Sequence, residues 1–129
     1  MIVGIGTDLC DIRRIERLLE KFGDRFTHKT FTKAERACCE ARGASAACYA
    51  KRFAAKEATA KALAGSDTGA LFWHDVEVVN SPSGRPDIIL HGEALKRARK
   101  RVGHSDWNLL LSLSDEPPYA LAYVVFQNL

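Results

Sequence analysis

Glu57 and Lys61 stand four residues apart in the run Arg52-Phe53-Ala54-Ala55-Lys56-Glu57-Ala58-Thr59-Ala60-Lys61-Ala62-Leu63. A helix there puts a carboxylate and an ammonium one turn apart on one face. A second acid, Asp8, ends the glycine-bearing segment Ile2-Val3-Gly4-Ile5-Gly6-Thr7-Asp8. Two carboxylates are the number of protein ligands a magnesium ion usually takes, with water and phosphate oxygens completing its octahedron. Lys61 would then meet a non-bridging phosphate oxygen. The plainer alternative is a surface ion pair between Glu57 and Lys61, worth only ~0.3–0.5 kcal/mol. Against that stand Phe53 on the same stripe, which should point inward, the further charges of Arg52 and Lys56, and the position of Asp8 at the C-terminal end of a strand, where ligand sites often collect.

Other groups could assist. The turn Ser81-Pro82-Ser83-Gly84-Arg85-Pro86 is an ordinary hairpin device, but Arg85 and its exposed backbone N–H groups could also hold a nucleotide phosphate. Arg13, Arg14, Arg17, Lys21 and Arg25 form a basic early segment suited to a solvated face or an acidic protein partner. Lys96 to Arg101 form a second basic cluster, whose functional alternative is nucleic-acid binding. Gly4-x-Gly6 does not make a dinucleotide fingerprint, because Leu9 holds the third glycine position. The four cysteines (10, 38, 39 and 48) contain no C-x-x-C pair, and the four histidines have no ligand spacing. The expectation is small buried thiols, with no disulfide framework and no zinc site.

The elements that must place these groups follow from periodicity. Ile2 to Thr7 reads as a buried strand, and Asp11 as the N-cap of a helix whose Ile12, Ile15, Leu18, Leu19 and Phe22 face the core until Gly23 stops it. A connection through Phe26 and Phe31 leads to the capping box Thr32-x-x-Glu35 and a small helix reaching about Arg42. After Gly43, Ser45 can cap a long helix with ten alanines between Ala44 and Ala64, ended by Gly65. Alanine on several sides lets other backbones approach closely, which suits a central helix. The second half alternates: a strand at 75–80, the turn at 81–86, a partner strand at 87–90, a basic helix at 92–102, and a final hairpin of 109–114 with 119–126. The fold class is α+β, a largely antiparallel sheet packed on a long central Ala-rich helix with further helices.

With 129 residues, 47% apolar and 27% charged, the chain reads as one ordered domain spanning 1–129. A net charge of +3 is too mild to assign nucleic acid by itself. No apolar run approaches a membrane span, and the N-terminus lacks the basic region of a signal peptide. The expected location is cytoplasmic.

Three ordered motifs, Gly4-Ile5-Gly6-Thr7-Asp8-Leu9, Arg52-Phe53-Ala54-Ala55-Lys56-Glu57-Ala58 through Lys61-Ala62, and Leu111-Ser112-Leu113-Ser114-Asp115-Glu116 leading to Tyr119-Ala120-Leu121-Ala122, together with Gly84-Arg85-Pro86, resemble the holo-acyl-carrier-protein synthase family. This is the small bacterial type of 4′-phosphopantetheinyl transferase, and the resemblance covers nearly the whole chain. It implies transfer of the 4′-phosphopantetheine arm of coenzyme A to a serine of apo-acyl carrier protein, releasing adenosine 3′,5′-bisphosphate, as fatty acid biosynthesis requires. By the same resemblance Asp8 and Glu57 are the magnesium ligands, and Asp8, Glu57 and Lys61 are the catalytic set. Arg52, Gly84, Arg85, Pro86 and Ser112 hold coenzyme A, and Arg14, Arg17, Lys21 and Arg25 dock the acidic helix of the carrier. Family members are typically homotrimers with sites at subunit interfaces.

One position departs from the family pattern. Many relatives carry histidine where this chain has Asp115, and an ordinary aspartate is a far weaker base. The base is therefore Glu57, a water on the metal, or Asp115, with the first two preferred. The competing function classes are a small basic nucleic-acid-binding module and a catalytically silent scaffold for acyl carrier protein.

Overall fold

A helix of 20 residues, α4 (Ser45–Ala64), carries the fold, with Ala50, Ala54, Ala55, Ala58 and Ala62 all buried along it. The structure, a computed structural model, describes residues 1–41, 43, 45–66, 69 and 71–129. Around α4 lie, in chain order, β1 (Ile2–Asp11), α1 (Ile12–Phe22), α2 (Asp24–Thr30), α3 (Lys33–Glu40), a 3₁₀ turn (Trp73–Asp75), β2 (Val76–Asn80), β3 (Pro86–Leu90), α5 (Gly92–Val102), β4 (Trp107–Glu116) and β5 (Tyr119–Asn128). The strands make two antiparallel sheets, one ordered β1-β5-β4 and the other a β2-β3 hairpin. The α+β expectation with antiparallel sheet on a central helix therefore holds.

β1 and α4 touch backbone to backbone. A Cβ added at Gly4 would overlap the carbonyl oxygen of Ala62, and one at Gly6 that of Ala58. Small residues on both elements make this approach possible, which is the role the alanines were expected to play. The inner face of the three-stranded sheet (Cys10, Leu111, Ala120, Ala122, Val124, Phe126) is buried against α4. The outer face is not: Ile5, Leu9, Leu110, Leu121 and Tyr123 are exposed. β1 is thus longer than the expected Ile2–Thr7 and covered on one face only. Its continuous apolar run imitates a strand covered on both sides, and alternation fails to show because both faces are apolar.

Asp11 ends β1 and caps α1, accepting the Arg13 N–H at 2.9 Å. Ile12 and Ile15 are buried as expected, Leu18 and Leu19 only half-buried, and Phe22 exposed. The stretch expected to be a connection forms α2. Its seven residues bury only Thr27 and Thr30, so no apolar period announces it. The capping box at α3 forms in both directions, with Glu35 N–H donating to Thr32 Oγ1 at 3.3 Å and Thr32 N–H to Glu35 Oε1 at 2.8 Å. α3 ends at Glu40; the expected end near Arg42, and Ala44 ahead of α4, lie outside the described residues. Ser45 is the first helical residue of α4, and Gly65 (φ +50°) follows its end.

The cysteine expectation is corrected. Cys39 and Cys48 form a disulfide between α3 and α4, while Cys10 is a buried free thiol and Cys38 a half-buried one. The reversal of chain direction between two helices brings together sulfurs whose linear spacing fits no familiar motif. Arg101, counted in the basic cluster, is spent internally: it donates to the carbonyl oxygens of Val3 (2.8 Å) and Leu63 (3.1 Å) and so pins α5 to β1 and α4. Lys96 pairs with Glu93, and Arg97 donates to the Gly69 carbonyl oxygen. Among the described residues no helix is long and apolar enough to cross a membrane.

Candidate active site

The contact of Gly6 with Ala58 fixes where the chemistry-bearing groups stand. Asp8 lies two residues beyond Gly6 and so on the same, inner face of β1; Glu57 precedes Ala58 on α4. Lys61 Nζ lies 3.4 Å from Asp8 Oδ1 and donates to the Thr7 carbonyl oxygen at 2.9 Å. The helix-surface pair of Glu57 with Lys61 is therefore not made, and Lys61 spends its charge across the gap to β1. Glu57, half-buried, lines a cavity of about 320 Å³ with Ala60, Leu71 and Phe72. Asp8 and Lys61 thus meet where β1 crosses α4, and Glu57 stands one turn before Lys61 on the same helix. A pair of carboxylates such as Asp8 and Glu57 suits a hard, oxygen-seeking cation that takes its remaining ligands from water or substrate. Among the described residues no cluster of three or more His, Cys, Asp or Glu side chains offers a metal cage.

Arg52 sits elsewhere on the helix and is 4% exposed. Its Nη1 donates to Cys48 Sγ at 3.0 Å and its Nη2 to Cys38 Sγ at 3.2 Å; Nε, also buried, has no partner. Among the described residues no carboxylate pairs with this guanidinium. Cys38 Sγ also accepts from Asn80 Nδ2 at 3.6 Å, so Arg52 reaches the end of the β2–β3 hairpin through that sulfur. The hairpin turn is closed by Gly84 N–H to the Ser81 carbonyl oxygen and Ser81 N–H to that of Arg85, both 2.8 Å. Gly84 there has φ +85°, a conformation that glycine adopts without strain. Arg85 and Pro86 line a cavity of about 430 Å³ with Asn108, whose Oδ1 is buried without a partner. Arg52 and the turn 84–86 thus share one end of the molecule.

Ser112 does not join either group. In the register it pairs with Tyr123, which faces Thr7, and all three lie on the outer face of the sheet. Asp115 lies on the inner face but is engaged by Lys51, Nζ to Oδ1 3.6 Å. Lys51 precedes Glu57 by six residues, about 9 Å along the helix axis. Asp115 is therefore set apart from Glu57 and Lys61.

Arg14, Arg17, Lys21 and Arg25 are all exposed. Arg14 lies over the Phe53 ring at 5.3 Å, and Lys21 and Arg25 lie over Phe22. Between α1 and α2 a groove of about 360 Å³ has Leu18, Phe26, Phe53 and Trp73 in its wall and Arg14, Arg25 and Lys29 at its rim. Lys29 and Trp73 escaped the sequence reading. Lys29 belongs to the helix that was read as a connection, and nothing in the linear spacing ties Trp73 to Phe53.

The pairing of Lys56 with Glu35 escaped it too. Lys56 Nζ is 2.8 Å from Glu35 Oε1, and the two side chains are 1% and 0% exposed. Burial pushes the Lys56 ammonium below the usual lysine range, and the Glu35 carboxylate opposes that push. Glu77, beside them, is drawn two ways. Burial raises its carboxyl, but hydrogen bonds from Thr32 and His91 outweigh this and hold it below the usual range.

The model of the 4′-phosphopantetheinyl transferase superfamily matches residues 4–124. A holo-[acyl-carrier-protein] synthase of Methylorubrum extorquens is 55% identical over 129 residues, covering 98% of this chain and 94% of its own length. The crystal structure of the holo-[acyl-carrier-protein] synthase of Neisseria meningitidis superposes with a TM-score of 0.83 at 38% identity, covering 98% of this chain and 99% of that one. The ACPS–CoA complex of Chronobacterium ammoniagenes also gives 0.83, at 28% identity, covering 98% and 97%. With its motifs spread from Gly4 to Ala122 and its relatives aligned end to end, the chain belongs to the 4′-phosphopantetheinyl transferase superfamily.

Proposed function

We propose that this chain is a holo-[acyl-carrier-protein] synthase that moves the 4′-phosphopantetheine arm of coenzyme A onto a serine of apo-acyl carrier protein, in the cytoplasm, as fatty acid biosynthesis requires. The serine oxygen attacks the β-phosphorus of coenzyme A. The phosphorus–oxygen bond to the α-phosphate breaks, and adenosine 3′,5′-bisphosphate leaves. The observation that carries this reading is the diversion of Lys61 from Glu57 to Asp8, which brings an ammonium and a carboxylate together where β1 and α4 touch, one helical turn from Glu57.

Asp8 and Glu57 would hold a magnesium ion, which when bound neutralises and orients the pyrophosphate. Lys61 carries three N–H donors and so can meet a phosphate oxygen while still bonded to Thr7. Glu57, half-buried at the cavity, takes the serine proton directly or through water; Asp115, engaged by Lys51, shapes the end of β4. Arg52, Gly84, Arg85 and Pro86 take the adenosine 3′-phosphate end. A buried guanidinium with a spare N–H and no carboxylate partner suits an anion. The groove rimmed by Arg14 and Arg25, with Arg17 and Lys21 beside it on α1, receives the acidic carrier.

The exposed apolar face of the β1-β5-β4 sheet supports assembly with further copies of the chain, as a homotrimer with sites at its boundaries. Ser112 lies on that face, where a residue serving a neighbouring copy's site has to be. The test is incubation with coenzyme A, magnesium and several apo-carrier proteins, following adenosine 3′,5′-bisphosphate release and carrier mass. A mass gain equal to phosphopantetheine is expected; no product with any carrier would sink the reading.

A further inference from the structure

Trp73 is a wall of two cavities at once. On one side lies the cavity of about 320 Å³ that holds Glu57, and on the other the groove of about 360 Å³ rimmed by Arg14 and Arg25. Its indole stacks on Phe53 with centroids 5.0 Å apart and planes at 30°. Its main chain is held from the other direction, because Lys56 Nζ donates to the Trp73 carbonyl oxygen at 2.9 Å. The same ammonium donates to the Val76 carbonyl oxygen and pairs with Glu35 Oε1. Glu35 Oε2 accepts the Val78 N–H at 2.9 Å, and Oε1 accepts the Thr32 N–H at 2.8 Å. One buried ion pair therefore ties the start of α3, the middle of α4, both ends of the 73–76 turn and β2.

A buried ion pair is a poor way to gain stability, since desolvating both charges offsets much of their attraction and well-packed apolar residues often do as well. What it adds is direction. The three N–H bonds of one ammonium fix three acceptors around a point, and that point is the residue next to Glu57. We propose that Lys56, oriented by Glu35, is a positioning residue for the transfer reaction: it sets Trp73 as the partition between the cavity at Glu57 and the groove under α1. The inference rests on the functional reading above, in which the pyrophosphate of coenzyme A reacts beside Glu57, at the first space, and the carrier protein docks in the second. Serine and phosphorus must approach to about 3–3.5 Å before they react, and a misplacement of about 1 Å can cost a hundredfold in rate. Substrates arriving on the two sides of Trp73 meet productively only while that wall stays in place.

The test uses Lys56→Met with Glu35→Gln, which removes both charges; the amide oxygen can still accept the Val78 N–H and the NH2 can turn to a freed carbonyl, at the loss of the Thr32 N–H bond. A Trp107→Phe background makes Trp73 the only indole, since the chain has two tryptophans. The expected result is cooperative unfolding, red-shifted Trp73 emission, and KM values for both coenzyme A and carrier raised on the order of tenfold. A merely structural pair would reduce the amount of folded enzyme, lowering Vmax and leaving both KM values alone. Should the double variant fail to fold, Trp73→Ala decides, since it keeps the carbonyl that Lys56 bonds and removes the wall. KM values within about twofold of wild type would overturn the proposal. Failure of the wild-type chain to modify any carrier removes the functional reading together with this one; an active wild type with unaltered KM values in the variants removes this one alone.

Discussion

Lys61 reaches across from α4 to β1 and places Nζ 3.4 Å from Asp8 Oδ1, bypassing Glu57 one turn earlier on its own helix. In the proposed function that ammonium meets a phosphate oxygen of coenzyme A. Lys61→Met should lower kcat by about 10²–10³, the loss found when one preorganised charge-stabilising donor is removed. Glu57→Ala should leave less than about a hundredth of the turnover with an unchanged melting curve. Steady-state rates near wild type in either variant would take that residue out of the chemistry.

The backbone contact at Gly6 makes its own prediction. Gly6→Ala inserts a methyl group into the Ala58 carbonyl oxygen, and neither backbone can step aside without moving the sheet or the central helix. Overpacking of this kind costs about 1–3 kcal/mol, and rigid backbone on both sides puts this site at the upper end. Chemical denaturation should show the midpoint falling; an unchanged midpoint would mean that β1 and α4 are less tightly apposed than described.

The two basic sites should divide between the two substrates. Arg14→Glu reverses a charge at the rim of the α1–α2 groove and should raise the KM for carrier protein while leaving that for coenzyme A. Arg85→Ala, at the hairpin turn, should do the opposite. A variant that moved both constants equally would argue against separate docking sites.

Assembly can be tested on the outer sheet face. Leu121 is 42% exposed and neighbours Leu9 in the register, so Leu121→Glu puts a charge into the apolar surface proposed to meet other copies. Sedimentation equilibrium should show a trimer for the wild type and smaller species for the variant. A wild type that stays monomeric at micromolar concentrations would remove the assembly proposal.

Tyr49 supplies a pH prediction. Burial, followed by the Glu40 carboxylate that accepts its hydroxyl at 3.2 Å, pushes its phenol up to about 12. A phenol raised on folding contributes stability that is complete below the unfolded value near 10 and lost as pH climbs towards 12. Absorbance titration should resolve one tyrosine ionising near pH 12, with that step coinciding with unfolding. Tyr49→Phe should abolish it, and a titration showing no such late step would refute the assignment.

Much of this was legible in the chain where local chemistry decides structure. The Thr32–Glu35 box, the helix over 92–102 and the alanine helix ended by Gly65 all formed where their signals lay. The convergence of Asp8 with Lys61 was legible only as a possibility, because no spacing rule relates a strand residue to a helix residue more than fifty positions away. The Lys56–Glu35 ion pair was illegible for a different reason. Lysine and glutamate are almost always solvated, and only the tertiary enclosure of both at once reverses that. α2 was hidden because two buried threonines, rather than an apolar stripe, face the core.

α3 is fastened to α4 at no fewer than four points. Glu35 grips Lys56, Arg52 donates to Cys38 Sγ, Cys39 is bonded to Cys48, and the Tyr49 hydroxyl donates to Glu40. A rod held at a single point can pivot about it; held at several, it cannot. The outermost anchors, Glu35 and Glu40, lie five residues apart on α3, about 7.5 Å. Reducing the disulfide would remove the one covalent tie and loosen this clamp without releasing it. How firmly α4 is braced is then a matter of the thiol chemistry around it as well as of its own packing.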